Sequence, residues 1–405
     1  MVMRADRFGD FMKRLRFLII NEYKNCGGTE NSVRKIRQIL TSHGHEVFLI
    51  YMQVGQDEIL SEKEYVLNPR FGIFDKLFYN PLLAHKLKQI LCTISPDVII
   101  LNNVFSAPIT VLSTLKDYKV LHMVRDYAAV CPKSTCITDS GDICDGFKYR
   151  NCLLECKYHN SKMQLVLKRW LLGRIDSLRL KIVSKSLPPS EMLADYLKKH
   201  GHKSCALNNP NEYDICPPRS IAQDVHKYIY LGGVNVNKGV YELALAFDRA
   251  DLGKKCELHI YGKFSSLDDE KKIMKVIESN NSIIYHGHIA HEEVQAILRD
   301  SYAIVVPSRW IENYPGTCLE GMANRLLVIA SDRGGMKEQL ADGRGIIFHF
   351  GISEMVDALH RAENLALDEY KNITDKAYEY VRWNNSYERY YKRLLKEVGM
   401  FFCSE

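Results

Sequence analysis

The sequence has no apolar run near the roughly 20 residues that a membrane-crossing helix needs. Its longest runs, such as "FLII" at 17–20 and "DVIIL" at 97–101, are strand-sized. It has no Gly-x-Gly-x-x-Gly fingerprint: "CGGTE" at 26–30 lacks the spacing, and no acidic residue follows the second strand where a dinucleotide's ribose would need one. A dehydrogenase is thereby excluded. Charge of one sign is scarce as well, since a net +6 over 405 residues is a mild bias toward anions and too weak for nucleic acid. The N-terminal "MVMRADRFGDFMKRLRFLII" lacks both an uninterrupted apolar core and a small-residue cleavage site, so no signal peptide and a cytoplasmic location are expected. In that reducing compartment most of the 12 cysteines are expected as free thiols.

What is present is enough for two cored domains of about 200 residues each, at 46% hydrophobic content. Strand-like runs alternate with helical periodicity, the pattern of parallel α/β units. "RFLIIN" (16–21), "HEVFLIYM" (45–52), "PDVIILNN" (96–103) and "KVLHMVRD" (119–126) read as strands, with a helix over 29–44 ending at Gly44 as a C-cap glycine does. From about residue 225 the scheme repeats with runs at 226–233, 256–263, 282–288, 302–308, 326–331 and 345–348. Between the halves, "NNPNEYDICPP" (208–218) has linker composition. The segment 382–402 reads as an amphipathic helix.

The stretch "ENYPGTCLEG" (312–321) sets two glutamates around a Pro-Gly turn, between a strand and a helix expected at 318–325. The backbone N–H groups of Pro315's successors, Gly316, Thr317 and Cys318, would form an anion site at that helix start. Glu320 is expected in the first helical turn, within reach of ribose hydroxyls, and Glu312 at the crevice mouth beside a sugar. The bland alternative is that Glu320 complements the helix dipole, worth roughly 0.3–1 kcal/mol, and that Glu312 is a solvated charge.

Residues 306–338, "VPSRWIENYPGTCLEGMANRLLVIASDRGGMKE", resemble the signature of the family-4 retaining glycosyltransferases of the GT-B fold. "CGGTE" (26–30), "IVSKSL" (182–187), "ALNNPNEYD" (206–214) and "LGGVNVNKGV" (231–240) are similar to other landmarks of that family. The resemblance implies an α/β chain of two Rossmann-like domains facing across a cleft: an acceptor-binding domain over 1–213, a nucleotide-sugar domain over 214–384, and a helix over 385–405 crossing back to the first. It implies a retaining hexosyltransferase using a UDP- or GDP-linked sugar and a glycan or polyprenyl-linked acceptor, in surface polysaccharide assembly at the inner membrane face. By matching position, Lys238 would neutralise the diphosphate, Glu312 would contact the donor sugar, and Glu320 would bind the ribose. Pro315, Gly316, Thr317, Cys318 and Gly233 would surround the donor, and Gly27 and Gly28 would let the first loop approach the phosphates or the acceptor. No cofactor is implied for the chemistry, and the Asp-x-Asp of metal-dependent transferases is missing from any suitable loop.

The sequence departs from the family in two places that bear on catalysis. Gly233 stands where an arginine usually precedes the phosphate lysine, with Lys263 and Arg309 as candidate substitutes. "VRDYAAVCP" (124–132) resembles the family's His-Asp-aromatic segment facing the reacting sugar, which makes Asp126 and Arg125 catalytic candidates; Arg125 stands where histidine is common, either recognising a phosphate or carboxylate on donor or acceptor or forming structural ion pairs with Asp126. Five cysteines crowd into 131–156. Such density suggests a structural zinc, and the resemblance points to Cys131, Cys144, Cys152 and Cys156; buried or reactive thiols are the alternative. Two stretches, 162–181 and 71–91, mix Lys and Arg with large apolar residues, which suits either an interfacial helix or a core-facing one with snorkelling cations. A nucleotide-sugar epimerase of the same fold and a non-catalytic sugar-nucleotide-binding protein remain as competing functions.

Overall fold

A computed structural model describes residues 14–24, 28–55, 58–127, 131, 135–138, 144, 162–217 and 225–400. The chain divides into two compact units, Met1–Asn211 with Tyr387–Glu405, and Glu212–Ser386.

The first unit contains strands β1 (Arg16–Tyr23), β2 (Glu46–Gln53), β3 (Glu64–Val66), β4 (Val98–Leu101), β5 (Val120–His122) and β6 (Val183–Ser186). Its helices are α1 (Gly28–Ser42), α2 (Ile73–Leu77), α3 (Pro81–Ile94), α4 (Pro108–Thr114), α5 (Lys162–Ile182) and α6 (Glu191–Lys199). The second unit contains β7 (His226–Leu231), β8 (Cys256–Tyr261), β9 (Ile283–Gly287), β10 (Ala303–Val306), β11 (Leu327–Ser331) and β12 (Ile346–Phe348). Around them run α7 (Val240–Ala250), α8 (Leu267–Ile277), α9 (His291–Arg299), α10 (Gly316–Ala323), α11 (Gly335–Gln339), α12 (Ile352–Glu363) and α13 (Leu367–Asn384). A last helix, α14 (Tyr387–Gly399), returns to the first unit.

Both sheets are parallel, and their strand orders are equivalent: β3-β2-β1-β4-β5-β6 in the first and β12-β11-β10-β7-β8-β9 in the second. Each reverses direction beside its first strand, between β1 and β4 and between β7 and β10. In doubly wound sheets a ligand crevice opens at that point, beyond the carboxyl ends of the strands. The strands are covered on both faces, which is why they read as continuous apolar runs and not as alternation. In the first sheet Phe17 and Ile19 face a core shared with α1, while Leu18 and Ile20 face one shared with α3 and α4. The second sheet is built alike, with α7, α8 and α12 on one face and α10, α11 and α13 on the other.

Helix α1 ends where its glycine signal lies: Gly44 takes φ 87°, and the amides of Gly44 and His45 close on Thr41 O and Leu40 O. Two expectations are corrected. The 119–126 run is a strand only over Val120–His122, so Arg125 and Asp126 lie on the loop beyond it. The helix expected at 318–325 begins at Gly316 and ends at Ala323. Pro315, with its fixed φ and no N–H to lose, sits at the N-cap, which moves Glu320 past the first turn. After that helix Arg325 adopts φ 52°, where glycine would be unstrained. Its guanidinium, hydrogen-bonded to Cys216 O at 2.9 Å, paired with Asp375 and stacked on Tyr378, holds it there.

Helix α14 is anchored by Tyr390, Leu394 and Val398, all buried in the β1–β2 face of the first core. Arg393 adds hydrogen bonds to Asn208 Oδ1 at 2.7 Å and Ala206 O at 2.6 Å. Leu394→Ala should therefore cost about 2–5 kcal/mol, seen as a lower midpoint of thermal unfolding; an unchanged midpoint would mean that the helix is not part of the core.

Candidate functional site

In the second unit two loops meet at the order reversal. The loop after β7 runs from Gly232 to Gly239 and includes a single 3-10 turn, Val236–Lys238, capped by Asn235, whose side chain accepts from Lys238 N. The loop after β10 runs from Pro307 to Pro315. They are fastened by backbone contacts, with Arg309 N and Trp310 N both donating to Asn237 O at 3.1 Å. At Gly239, φ is 71° and a Cβ would lie 1.9 Å from Pro307 O, so no other residue fits without moving one loop. The β10 loop is in turn fastened to the turn after β11: Gly335 N donates to Glu312 O at 2.7 Å, and a Cβ on Gly334 would lie 2.0 Å from that oxygen.

These constraints bring Lys238 and Glu312 together. Lys238 Nζ donates to Glu312 Oε1 at 2.6 Å, and Ser308 Oγ donates to the same oxygen at 2.7 Å. The Glu312 side chain is mostly enclosed, while the Lys238 side chain is about one-third exposed. Glu312 is thus a held acceptor, in place of the solvated charge that was its alternative. Helix α10 starts four residues on, and no side chain caps it. Gly316 is exposed at that start, whereas the Cys318 side chain is fully buried in the core. Burial raises the Cys318 thiol above its usual range, with Glu312 and then Glu320 adding to the shift; both carboxylates therefore act on this helix start. Tyr230, whose hydroxyl donates to Gly233 O at 2.7 Å, is likewise raised by burial and then by Glu312.

Beside the loops, a cavity of about 500 Å³ is lined by Leu231, Gly232, Gly233, Tyr261, Gly262, Lys263, His288, Ile289 and Val294. It lies beyond the carboxyl ends of β7, β8 and β9. Lys263 lies in the adjoining loop, its carbonyl accepting from Val234 N at 2.9 Å. A Cβ on Gly233 would meet only Asn235 Nδ2, at 3.7 Å, so glycine is not forced there by space. Sequence reasoning missed Ser308, Tyr261 and His288: nothing in a short loop marks which serine will face a carboxylate across a turn.

In the first unit Gly27 lies outside the described residues, and Gly28 opens α1. Arg125 sits beyond β5, where burial lowers its guanidinium below the usual range. Its Nε donates to Asn102 Oδ1 at 2.9 Å and its Nη1 to Asn209 Oδ1 at 2.7 Å, while Asn102 Nδ2 donates to Asn21 Oδ1 at 2.9 Å. Asp126 acts with Asp176 on the buried Arg179. The amide network around Arg125 was also missed; it joins residues up to 188 positions apart in the chain, Asn21 and Asn209.

Among the cysteines, Cys131, Cys136 and Cys144 are buried, while Cys152 and Cys156 lie outside the described residues. Cys136 N donates to Cys131 Sγ at 3.4 Å and Cys144 N to Cys136 O at 2.8 Å. Among the described residues, the group whose ligand atoms lie close enough for one ion is a different one, His226, Cys256 and Glu363, within 4.8 Å of one another. It lies at the amino ends of β7 and β8, and His226 Nδ1 and the Tyr228 hydroxyl already bond Glu363.

Residues 217–380 match the family model described as glycosyl transferases group 1. Among curated proteins the chain is similar to the alpha-D-kanosaminyltransferase of Streptomyces kanamyceticus, 28% identical over 33% of this chain and 35% of that one. It is also similar to the lipopolysaccharide 1,2-N-acetylglucosaminetransferase of Salmonella typhimurium, 24% identical over 55% of this chain and 58% of that one. The matched region thus spans about a third and somewhat over half of these relatives. Of solved structures, HepE of Anabaena in complex with UDP superposes with a TM-score of 0.71 at 13% identity, over 95% of this chain and 100% of that one. The fold is the two-domain α/β GT-B fold.

The loop geometry carries its own test. Gly239→Ala adds a Cβ against Pro307 O at a positive φ, a conformation that costs an L-residue roughly 1–2 kcal/mol before any clash. Thermal unfolding should move down and any activity that needs Lys238 should fall with it, whereas Gly253→Ala, which shares a positive φ (85°) but has open space around its Cβ, should leave that activity intact.

Proposed function

We propose that the protein is a glycosyltransferase that moves a hexose from a UDP- or GDP-linked donor to a hydroxyl of a glycan or lipid-linked glycan, with retention of configuration. The observation that carries this reading is the joint placement of Lys238, Ser308 and Glu312 beside the uncapped start of α10, at the order reversal of the second sheet. The helix amides of Gly316, Thr317 and Cys318 and the Lys238 ammonium bind the diphosphate. Glu312 receives the donor sugar's hydroxyls and Glu320 those of the ribose. The base occupies the apolar cavity between Leu231 and Val294. Cleavage of the bond from the anomeric carbon to the phosphate oxygen leaves negative charge on the diphosphate. Fixed donors and a cation facing that oxygen stabilise it without reorganising, commonly the largest contribution to catalysis. The acceptor hydroxyl attacks from the same face, and its proton passes to the departing phosphate oxygen. Arg125 and Asp126 in the first unit serve acceptor binding.

Support comes from the match of 217–380 to the family model and from two similar sugar transferases, one acting in lipopolysaccharide synthesis by its name. We place the reaction in surface polysaccharide assembly on that basis. A nucleotide-sugar epimerase would consume donor without acceptor, so product analysis with and without acceptor separates the two. Lys238→Ala should lower kcat by a factor of about 10²–10³, the size seen for losing one preorganised charge stabiliser, with the fold intact. Glu320→Ala should weaken UDP or GDP binding by calorimetry. A Lys238 variant altering KM alone would remove the leaving-group role, and an unchanged nucleotide affinity would remove Glu320 from the ribose.

The cysteine segment is proposed to hold a structural zinc through Cys131, Cys144, Cys152 and Cys156. The amide donated to Cys131 Sγ is the contact that orients a thiolate ligand. The ion would order that loop and take no part in transfer. Purified protein should contain one zinc per chain, falling in a Cys131→Ser variant; sub-stoichiometric zinc and iron would eliminate the site.

A further inference from the structure

Helix α5 is apolar on two faces. Leu171, Ile175, Leu178 and Ile182, spaced as one helical stripe, pack into the core between α3, α4 and the first sheet. Val166 and Trp170, one turn apart, form a second, outer stripe, Val166 opposite the core and Trp170 on its flank, and both are exposed, Trp170 by half; Leu167, one turn before Leu171, is exposed at the end of the core stripe. A helix satisfied by its core contacts has no need of that second stripe, and a core-facing helix with snorkelling cations does not account for it.

The second stripe does not stand alone. Arg174 Nη1 donates to Leu77 O at 3.4 Å, and its guanidinium lies 5.5 Å from the Trp170 ring, so this one side chain ties the outer face of α5 to the end of α2. The segment it reaches, residues 71–82, exposes Phe71, Ile73, Phe74, Phe78, Tyr79 and Leu82, with Phe74 64% and Leu82 74% exposed. The segment is built to hold these residues outward. Asp75 is buried, accepting from Phe71 N at 2.9 Å and Asn80 Nδ2 at 2.7 Å. Asn80 caps α3, and its amide donates to Thr110 Oγ1 in α4 at 2.9 Å.

Charge follows the same plan. Asp75 is the single acidic residue between 69 and 91, and Asp176 the single one between 162 and 181. The first is buried, and the second is mostly enclosed and bonded to His202 at 2.9 Å. Arg70, Lys76, Lys86, Lys88 and Arg174 are exposed. These two segments therefore offer large apolar side chains interspersed in the chain with exposed cations, and both of their carboxylates are withdrawn inside. An exposed apolar patch of this kind marks an interaction site, and one whose two segments expose cations and no carboxylate among the described residues matches an anionic headgroup layer over hydrocarbon.

We propose that this face of the first unit docks on an anionic phospholipid bilayer, Phe74, Phe78, Leu82 and Trp170 entering the interface while Arg70, Lys76 and Arg174 meet the headgroups. The docking goes beyond the transfer reading and does not rest on it, since neither donor nor acceptor is involved. The test is co-sedimentation of the full-length protein with phosphatidylglycerol-containing vesicles and with pure phosphatidylcholine vesicles. Binding to the anionic vesicles that weakens with salt is expected, together with about tenfold or greater loss in a Phe74→Ser/Phe78→Ser/Trp170→Ser variant. Circular dichroism should show that variant folded, because all three side chains are on the surface. An Arg70→Glu/Lys76→Glu variant should lose the preference for anionic over neutral vesicles. No vesicle binding by the wild type, or equal binding by the apolar variant, overturns the proposal. So does a concentration-dependent dimer without vesicle binding that the apolar variant abolishes, which would make a second copy of the chain the occupant.

Discussion

Two close approaches of backbone hold the candidate site together: Gly239 against Pro307 O and Gly334 against Glu312 O, at 1.9 and 2.0 Å from where a Cβ would be. The Lys238–Glu312 pair they create is partly exposed, and a pair of that kind contributes about 0–1 kcal/mol. It is too weak to position its own loops. Backbone conformation, costing an L-residue roughly 1–2 kcal/mol at a positive φ, sets where the charges lie, and the charges follow. This ordering of magnitudes explains how a lysine and a glutamate 74 positions apart come within 2.6 Å, with the buried Ser308 hydroxyl as a further donor to the carboxylate.

Strand order supplies the step before that. The loops after β7 and β10 are neighbours because those strands pair at the reversal, Ala303 with Tyr228 and Ile304 with Ile229. Everything farther along the second sheet serves to keep that pair parallel and covered on both faces. Glycines at the loop ends then let the two loops close on each other where side chains would have kept them apart.

The ten strands in apolar runs were legible because a strand buried on both faces announces itself, and the α/β architecture followed from their alternation with helices. Of the short strands, β3 was missed, Glu64–Val66 having only three residues, while β6, Val183–Ser186 with two serines and a lysine, was read as a strand through the family resemblance and not from apolar pattern. The start of α10 was placed two residues late because Pro315 was read as part of a turn, although proline favours the beginning of a helix. Glu312 and Glu320 were singled out by their spacing around the Pro-Gly turn, and Lys238 by the family resemblance alone. Ser308 and the asparagines around Arg125 were not, since their partners come from loops that only the sheet brings together.

The two sheets share a strand order yet differ in what stands at the reversal. In the second unit it is a lysine, a carboxylate and an uncapped helix start, which suit an anion linked to hydroxyls. In the first it is a chain of amides, Asn21 to Asn102 to Arg125 to Asn209, in which every carboxamide carries both a donor and an acceptor. Such a network suits a neutral, hydroxyl-rich group whose orientation must be selected, and the single cation in it is already engaged by two carbonyl oxygens. One strand order thus carries two kinds of chemistry at its reversal without a change of topology: charge and helix amides in the second unit, and the paired donors and acceptors of carboxamides in the first.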